Sequence, residues 1–274
     1  MGKSMLNISK FTNVFTSYFN GLARHSKALR FILANGLTWY FLFPILLNVL
    51  FFIGGFSLVS DLSNSMLEGL NEALQQINWG LDPEGWLYRI IYGIVWLSLR
   101  ILYFLLFAYL GGYLVLIFLS PALALLSERV EQLITGQKVA FSSLRYLNNI
   151  MRGIAIAIRN FVIEIILIIA FLLLSLIPPL GLIVPFALFF ISAYFYGFSM
   201  MDYPLEGRKY GVTNSARFMF GNKGSATSIG TPLAIVLLVP FVGSLLAGFF
   251  AIISVVAGTM ETLELLDQKK PEKY

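Results

Sequence analysis

Apolar side chains recur along residues 10–31 at Phe11, Phe15, Tyr18, Leu22 and Leu29, in steps of three, four or seven. Such steps stay on one face of a 3.6-residue helix. They predict an amphipathic helix whose remaining face carries Arg24, Lys27 and Arg30. A basic amphipathic helix ahead of an apolar run fits the anionic headgroup layer, so 10–31 is expected to be an interfacial helix. A soluble core helix is the alternative. The pattern changes at Asn35-Gly36. Leu37 to Val59 is a 23-residue run without charge, longer than the ~20 residues a spanning helix needs.

After the expected span at 37–59, the segment 60–85 carries Asp61, Glu68, Glu72, Asp82 and Glu84 and no Lys or Arg. Met66, Leu70, Leu74 and Ile77 fit a short amphipathic helix within it. The next stretch, 86–127, is broken only by Arg89 and Arg100. As one straight helix it runs about 63 Å, a long span continuing beyond the bilayer with a bend expected near Gly111-Gly112. Residues 128–159 are of mixed polarity and basic. Two apolar runs then meet at Pro178-Pro179, which no helix can continue through, so 161–201 reads as a helical hairpin. A polar loop is expected at 202–230. The run 231–260 has Pro240 near its middle and is a second candidate hairpin.

Composition supports one membrane domain over 1–274. Of the 274 residues 58% are hydrophobic and 12% charged, about half the charge usual in soluble domains, and mean hydropathy is +0.81. The expected class is an all-α integral membrane protein: two long transmembrane helices, two Pro-tipped helical hairpins and the N-terminal interfacial helix. No alternating ten-residue pattern suggests a membrane barrel. A cleaved signal peptide is not expected, and Leu6 breaks the myristoylation pattern. Five Lys or Arg lie in the first 36 residues and none in 37–88. The positive-inside rule then makes the N-terminus cytoplasmic and 60–85 extracytoplasmic.

Candidate chemistry is sparse. There is no Cys and one His, and no metalloprotease, P-loop, dinucleotide or nucleophile-elbow pattern. No enzyme, metal site or cofactor is expected, and no nucleic-acid partner. His25 reads as a packing residue rather than a base. Ionisable groups within apolar runs are costly in lipid, which singles out Arg100 and Glu164. They read either as a polar pathway or as an ion pair, with each other or between Glu164 and Arg159. Two segments could hold an anion at a helix start. One is Asn35 to Thr38, with Lys27 and Arg30 nearby; the other is "GNKGSATSIGTP" at 221–232 with Lys223. A turn and helix cap is the alternative at each.

The string "FTSYFNGLARHSKALRFILANGLTWYFLFPILLN" resembles the N-terminal signature of the CysZ sulfate permease family, related to the etoposide-induced-protein family. The segments "SPALALLSERVEQLITG" (120–136), "IPPLG" (177–181), "MDYPLEGRKYGV" (201–212) and "VPFVGSLLAGFFAIISVVAGT" (239–259) follow in that family's order. The resemblance implies an inner (plasma) membrane, multi-pass protein with cytoplasmic termini that admits sulfate for cysteine biosynthesis. It also implies partly penetrating hairpins and a homo-oligomer, dimer or larger, among membrane lipids. The family's sulfate motif is Gly, an aliphatic residue and Arg, commonly with a second Arg. The matching residues here are Gly36, Leu37, Thr38 and Trp39, so both arginines are replaced. The expected anion site is therefore Gly36, Leu37 and Thr38, with Arg30 or Lys27 supplying charge. A non-transporting membrane scaffold or lipid-interacting protein is the alternative function.

Overall fold

A computed structural model describes residues 2–51, 53, 65, 68, 69, 72, 85–136, 143–239 and 242–268, and every regular element among them is helical. Most of the acidic segment 60–85, its short amphipathic helix and Pro240 lie outside the described residues.

Helix α1 spans Gly2–Ala34 and ends because the backbone turns left-handed at Gly36, with φ +66° and ψ 27°. The amide of Asn35 bonds the Phe31 carbonyl at 3.1 Å, and its Nδ2 donates to the same oxygen at 2.9 Å. Helix α2, Leu37–Phe51, opens with a 3-10 turn over Leu37–Phe41 and lies at 111° to Thr16–Ala34. A Cβ added at Gly36 would meet nothing within 4 Å. Gly36→Ala is thus expected to lower stability by about 1 kcal/mol through backbone conformation alone, and Gly36→Asn by less. Thermal unfolding in detergent checks the order Gly, Asn, Ala.

The packing face of α1 differs from the sequence stripe. Gly21, Ala28 and Ile32 are buried, whereas Leu29 is 40% exposed. Small residues, not the largest apolar ones, let α1 settle close against α8 and α9. Phe11 and Phe15 have side chains outside the described residues.

Helix α3 spans Trp86–Thr135 and stays helical through Gly111-Gly112, eight residues beyond the expected end. The first hairpin consists of α4 (Ser143–Ser175), one turn α5 (Pro178–Gly181) and α6 (Val184–Gly207). Its tip is apolar and open: Leu176 and Leu182 are 78% and 79% exposed.

The expected polar loop at 202–230 is instead helical over most of its length. Helix α6 continues to Gly207, α7 spans Val212–Gly221 and α8 spans Lys223–Leu237, with α9 following at Val242–Gln268. The second hairpin therefore starts eight residues earlier than 231. The reason is internal satisfaction of the hydroxyls. Ser228 Oγ donates to the Ser225 carbonyl at 2.7 Å, and Thr231 Oγ1 to that of Thr227 at 2.8 Å. A buried helix can carry such residues because their donors are already engaged.

Helix α9 is the centre of the bundle, packed by α1, α3, α6 and α8. Its buried face includes Ala247, Gly248, Ala251, Ser254 and Gly258, small residues that allow close helix approach in membranes. Helix α2 joins this face, with Asn48 Nδ2 donating to the Leu245 carbonyl at 2.8 Å. Segments Ile158–Ser175, Val184–Gly207 and Val242–Gln268 are each long and apolar enough to cross a membrane. Helix α4 packs mainly on α6 and leaves Ile166, Ile169 and Leu173 exposed, as a lipid-facing helix does.

Candidate functional site

The α1–α2 junction is built by the left-handed Gly36. Leu37 and Tyr40 turn inward as anchors, and Thr38 and Trp39 are left exposed. Trp39 packs on Tyr40 with ring centroids 4.1 Å apart. The first N–H groups of a helix have no intrahelical acceptor, so the turn offers donors beside the Thr38 hydroxyl. Lys27 and Arg30 are exposed, and neither forms an ion pair with a described residue. They stand six and nine residues before Gly36, about 9 Å and 13 Å of axial rise for Arg30 and Lys27 respectively. Helical side chains also lean toward the helix N-terminus. Arg30 is therefore the nearer of the two charges.

Arg24 has a different role from the one its spacing predicts. It turns inward, its Nε 2.8 Å from Glu261 Oε2, and it also pairs with Glu264. The Ser225 hydroxyl donates to Glu261 Oε1 at 2.8 Å. One buried carboxylate thereby joins α1, α8 and α9. Next to it, His25 Nε2 lies 3.2 Å from the Ile229 carbonyl and 3.4 Å from Ser254 Oγ. His25 is a packing residue that ties α1 to the same two helices. Tyr18 OH, 3.1 Å from Thr231 Oγ1, adds a third tie. No sequence spacing pointed to these links, because their partners lie more than 200 residues away.

A second polar group lies inside the first hairpin. Asn160 and Glu164, one turn apart on α4, are both buried. Ser192 on α6 is the polar side chain that neighbours the Glu164 carboxyl group. Arg159 Nη1 bonds Asn160 Oδ1 at 3.3 Å. The alternative of an ion pair between Glu164 and Arg159 is not met, since Arg159 bonds Asn160 instead; Glu164 Oε1 and Asn160 Nδ2 are buried without a hydrogen-bond partner. Helix α4 packs on α6 here, and Arg159 is half-buried. The Arg100 side chain lies outside the described residues. Asn160 was missed, although its i,i+4 spacing from Glu164 in an apolar helix is the signal that marks it.

The "GNKGSATSIGTP" segment is not a loop ahead of a helix. From Lys223 onward it is α8, and Gly224 and Gly230 are buried. Among the described residues no three His, Asp or Glu side chains gather as metal ligands.

Comparison with known proteins gives a consistent result. The family described as "Sulfate transporter CysZ/Etoposide-induced protein 2.4" matches residues 24–247. The chain is similar to the sulfate transporter CysZ of Vibrio atlanticus, 25% identical over 214 residues, covering 77% of this chain and 81% of that protein. It is 23% identical to the protein of the same name in Vibrio cholerae over 227 residues, with 81% and 86% covered. The Pectobacterium atrosepticum protein is 24% identical over 215 residues, with 77% and 74% covered.

Proposed function

The chain belongs to the sulfate transporter CysZ/etoposide-induced protein 2.4 family, and from that premise we propose that it moves a small inorganic anion, sulfate or one like it, across the inner (plasma) membrane. The observation that carries this reading is the similarity to three proteins named sulfate transporter CysZ over 77–81% of the chain. In this reading the Gly36–Thr38 turn is the entry contact. Its backbone N–H groups and the Thr38 hydroxyl meet the anion, Leu37 anchors the turn, and Arg30 with Lys27 raises the local anion concentration. Glu164 and Arg100 border the pathway. Sulfate admitted here would feed cysteine biosynthesis, and the working unit is a homo-oligomer of two or more chains.

Orientation follows the same logic. Arg24 pairs with Glu261 and Glu264, so the end of α9 lies beside α1. A cytoplasmic α1 then brings the C-terminal end of α9 to the cytoplasmic side.

The test is uptake of radiolabelled sulfate by proteoliposomes, which is expected to exceed that of protein-free vesicles. Equal uptake, with a working sulfate permease in parallel, rules the reading out. The replaced arginine gives a sharper measurement. An Arg fork offers charge-assisted bonds that a Thr hydroxyl lacks, worth about 1.5–3 kcal/mol each. Thr38→Arg is therefore expected to tighten sulfate binding roughly tenfold or more. Unchanged affinity in that variant would place the anion contact elsewhere.

A further inference from the structure

A groove of about 630 Å³ opens between α1, α4, α6 and the start of α8, away from the Gly36 turn. Its wall is almost wholly apolar, formed chiefly by Phe19, Leu167, Phe190, Ile191 and Phe195. That volume lies within the range of small-molecule sites. One end differs. Lys223 and Thr227, a turn apart on α8, stand at the mouth with the ring of Phe220. The Lys223 ammonium sits 5.8 Å from the Phe220 centroid, a cation–π contact that holds the charge at the rim. Lys223 is the one formally charged residue among those lining the groove.

We propose that this groove binds an anionic phospholipid, one acyl chain lying along Phe190 and Leu167 and the phosphate meeting the Lys223 ammonium. The occupant follows from charge and shape together. An almost wholly apolar wall favours a hydrocarbon chain, and the single cation in its lining, Lys223, favours an anionic oxygen acceptor. A zwitterionic lipid brings its own cation to the Lys223 ammonium and loses the advantage. A basic side chain at the cytoplasmic headgroup level is attracted to anionic lipid in the same way. Lys223 also follows Phe220 by three residues on adjoining helices, so the cation and the aromatic rim are fixed by one short turn at Asn222.

The experiment uses the full chain in detergent micelles holding a small mole fraction of phosphatidylglycerol with a diazirine in mid-chain. After illumination, labelled residues are mapped by mass spectrometry. Label is expected on Phe190, Tyr194 or Leu167, competed by unlabelled phosphatidylglycerol. Phosphatidylcholine with the same chains should compete about fivefold less well. Lys223→Gln is expected to lower groove labelling about fivefold, with Lys223→Arg retaining it. Thr227→Phe, which fills the mouth, should lower labelling further, and an unchanged melting temperature shows that the variants fold. Equal competition by the two lipids overturns the proposal, as does even labelling of all lipid-facing helices. Competition by glycerol phosphate alone also overturns it, because the chain would then contribute nothing. None of these outcomes depends on sulfate uptake, which is measured separately.

Discussion

Gly230→Val is expected to destabilise the protein by about 3 kcal/mol or more, the upper end of overpacking costs. A Cβ at Gly230 would lie 1.9 Å from the Ala193 carbonyl oxygen and 2.4 Å from the Gly197 nitrogen. Both are backbone atoms of α6, so no rotamer change relieves the clash. Gly197 faces back: its Cβ would sit 1.7 Å from the Ala226 carbonyl oxygen. The two helices must separate, and the contacts along their crossing loosen together because the interior is close-packed. Gly230→Ala and Gly197→Ala should each lower the melting temperature. Their double variant should lose less than the sum, since one separation serves both. Gly221→Ala, where a Cβ meets nothing within 4 Å, is the control. A melting temperature for Gly230→Ala matching that of the wild type would show that α6 and α8 do not cross as described.

The second large effect is expected at Arg24. Removing it leaves the Glu261 carboxylate buried at 6% exposure with the Ser225 hydroxyl as its remaining described contact. An uncompensated buried charge costs about 3 kcal/mol or more. The pair with Glu264 adds under about 1 kcal/mol, because that carboxylate is half exposed and screened. Arg24→Ala should therefore release α1 from α9, seen as faster proteolysis near residue 24 and a lower melting temperature. Glu261→Gln in the same chain removes the stranded charge and should restore much of the loss. A double variant no more stable than Arg24→Ala would mean that Glu261 is not what Arg24 stabilises.

These two sites show why a sequence reveals some features and hides others. The long helix from Trp86 and the break at Pro178-Pro179 were legible because apolar length and proline act locally. The left-handed Gly36 was legible for the same reason: Asn-Gly after a helix announces its own turn. The 202–230 region misled because Ser, Thr and Gly usually mark loops. Within α8 the same residues bond their own helix and admit α6 at close range. Leu29 misled in the opposite direction, since a packing face in a membrane protein favours small residues over large ones. Glu164 was found by its charge in an apolar run, but its neighbour Ser192 has no sequence signal. Of the two cations that could pair with Glu164, Arg159 bonds Asn160 instead, and the Arg100 side chain lies outside the described residues.

The sequence by itself determined the all-α membrane class, the break at Pro178-Pro179, the family resemblance and the replacement of two motif arginines by Thr38 and Trp39. Each is a property of composition or of near neighbours along the chain. Only the tertiary structure decided that Arg24 faces inward to Glu261, that α9 lies at the centre and that Lys223 closes one end of an apolar groove. Those facts depend on side chains distant in the chain, such as Arg24 and Glu261 or Phe19 and Lys223, meeting in space. Close approach there is decided by volume and by which polar groups find partners, and neither is written in any one segment.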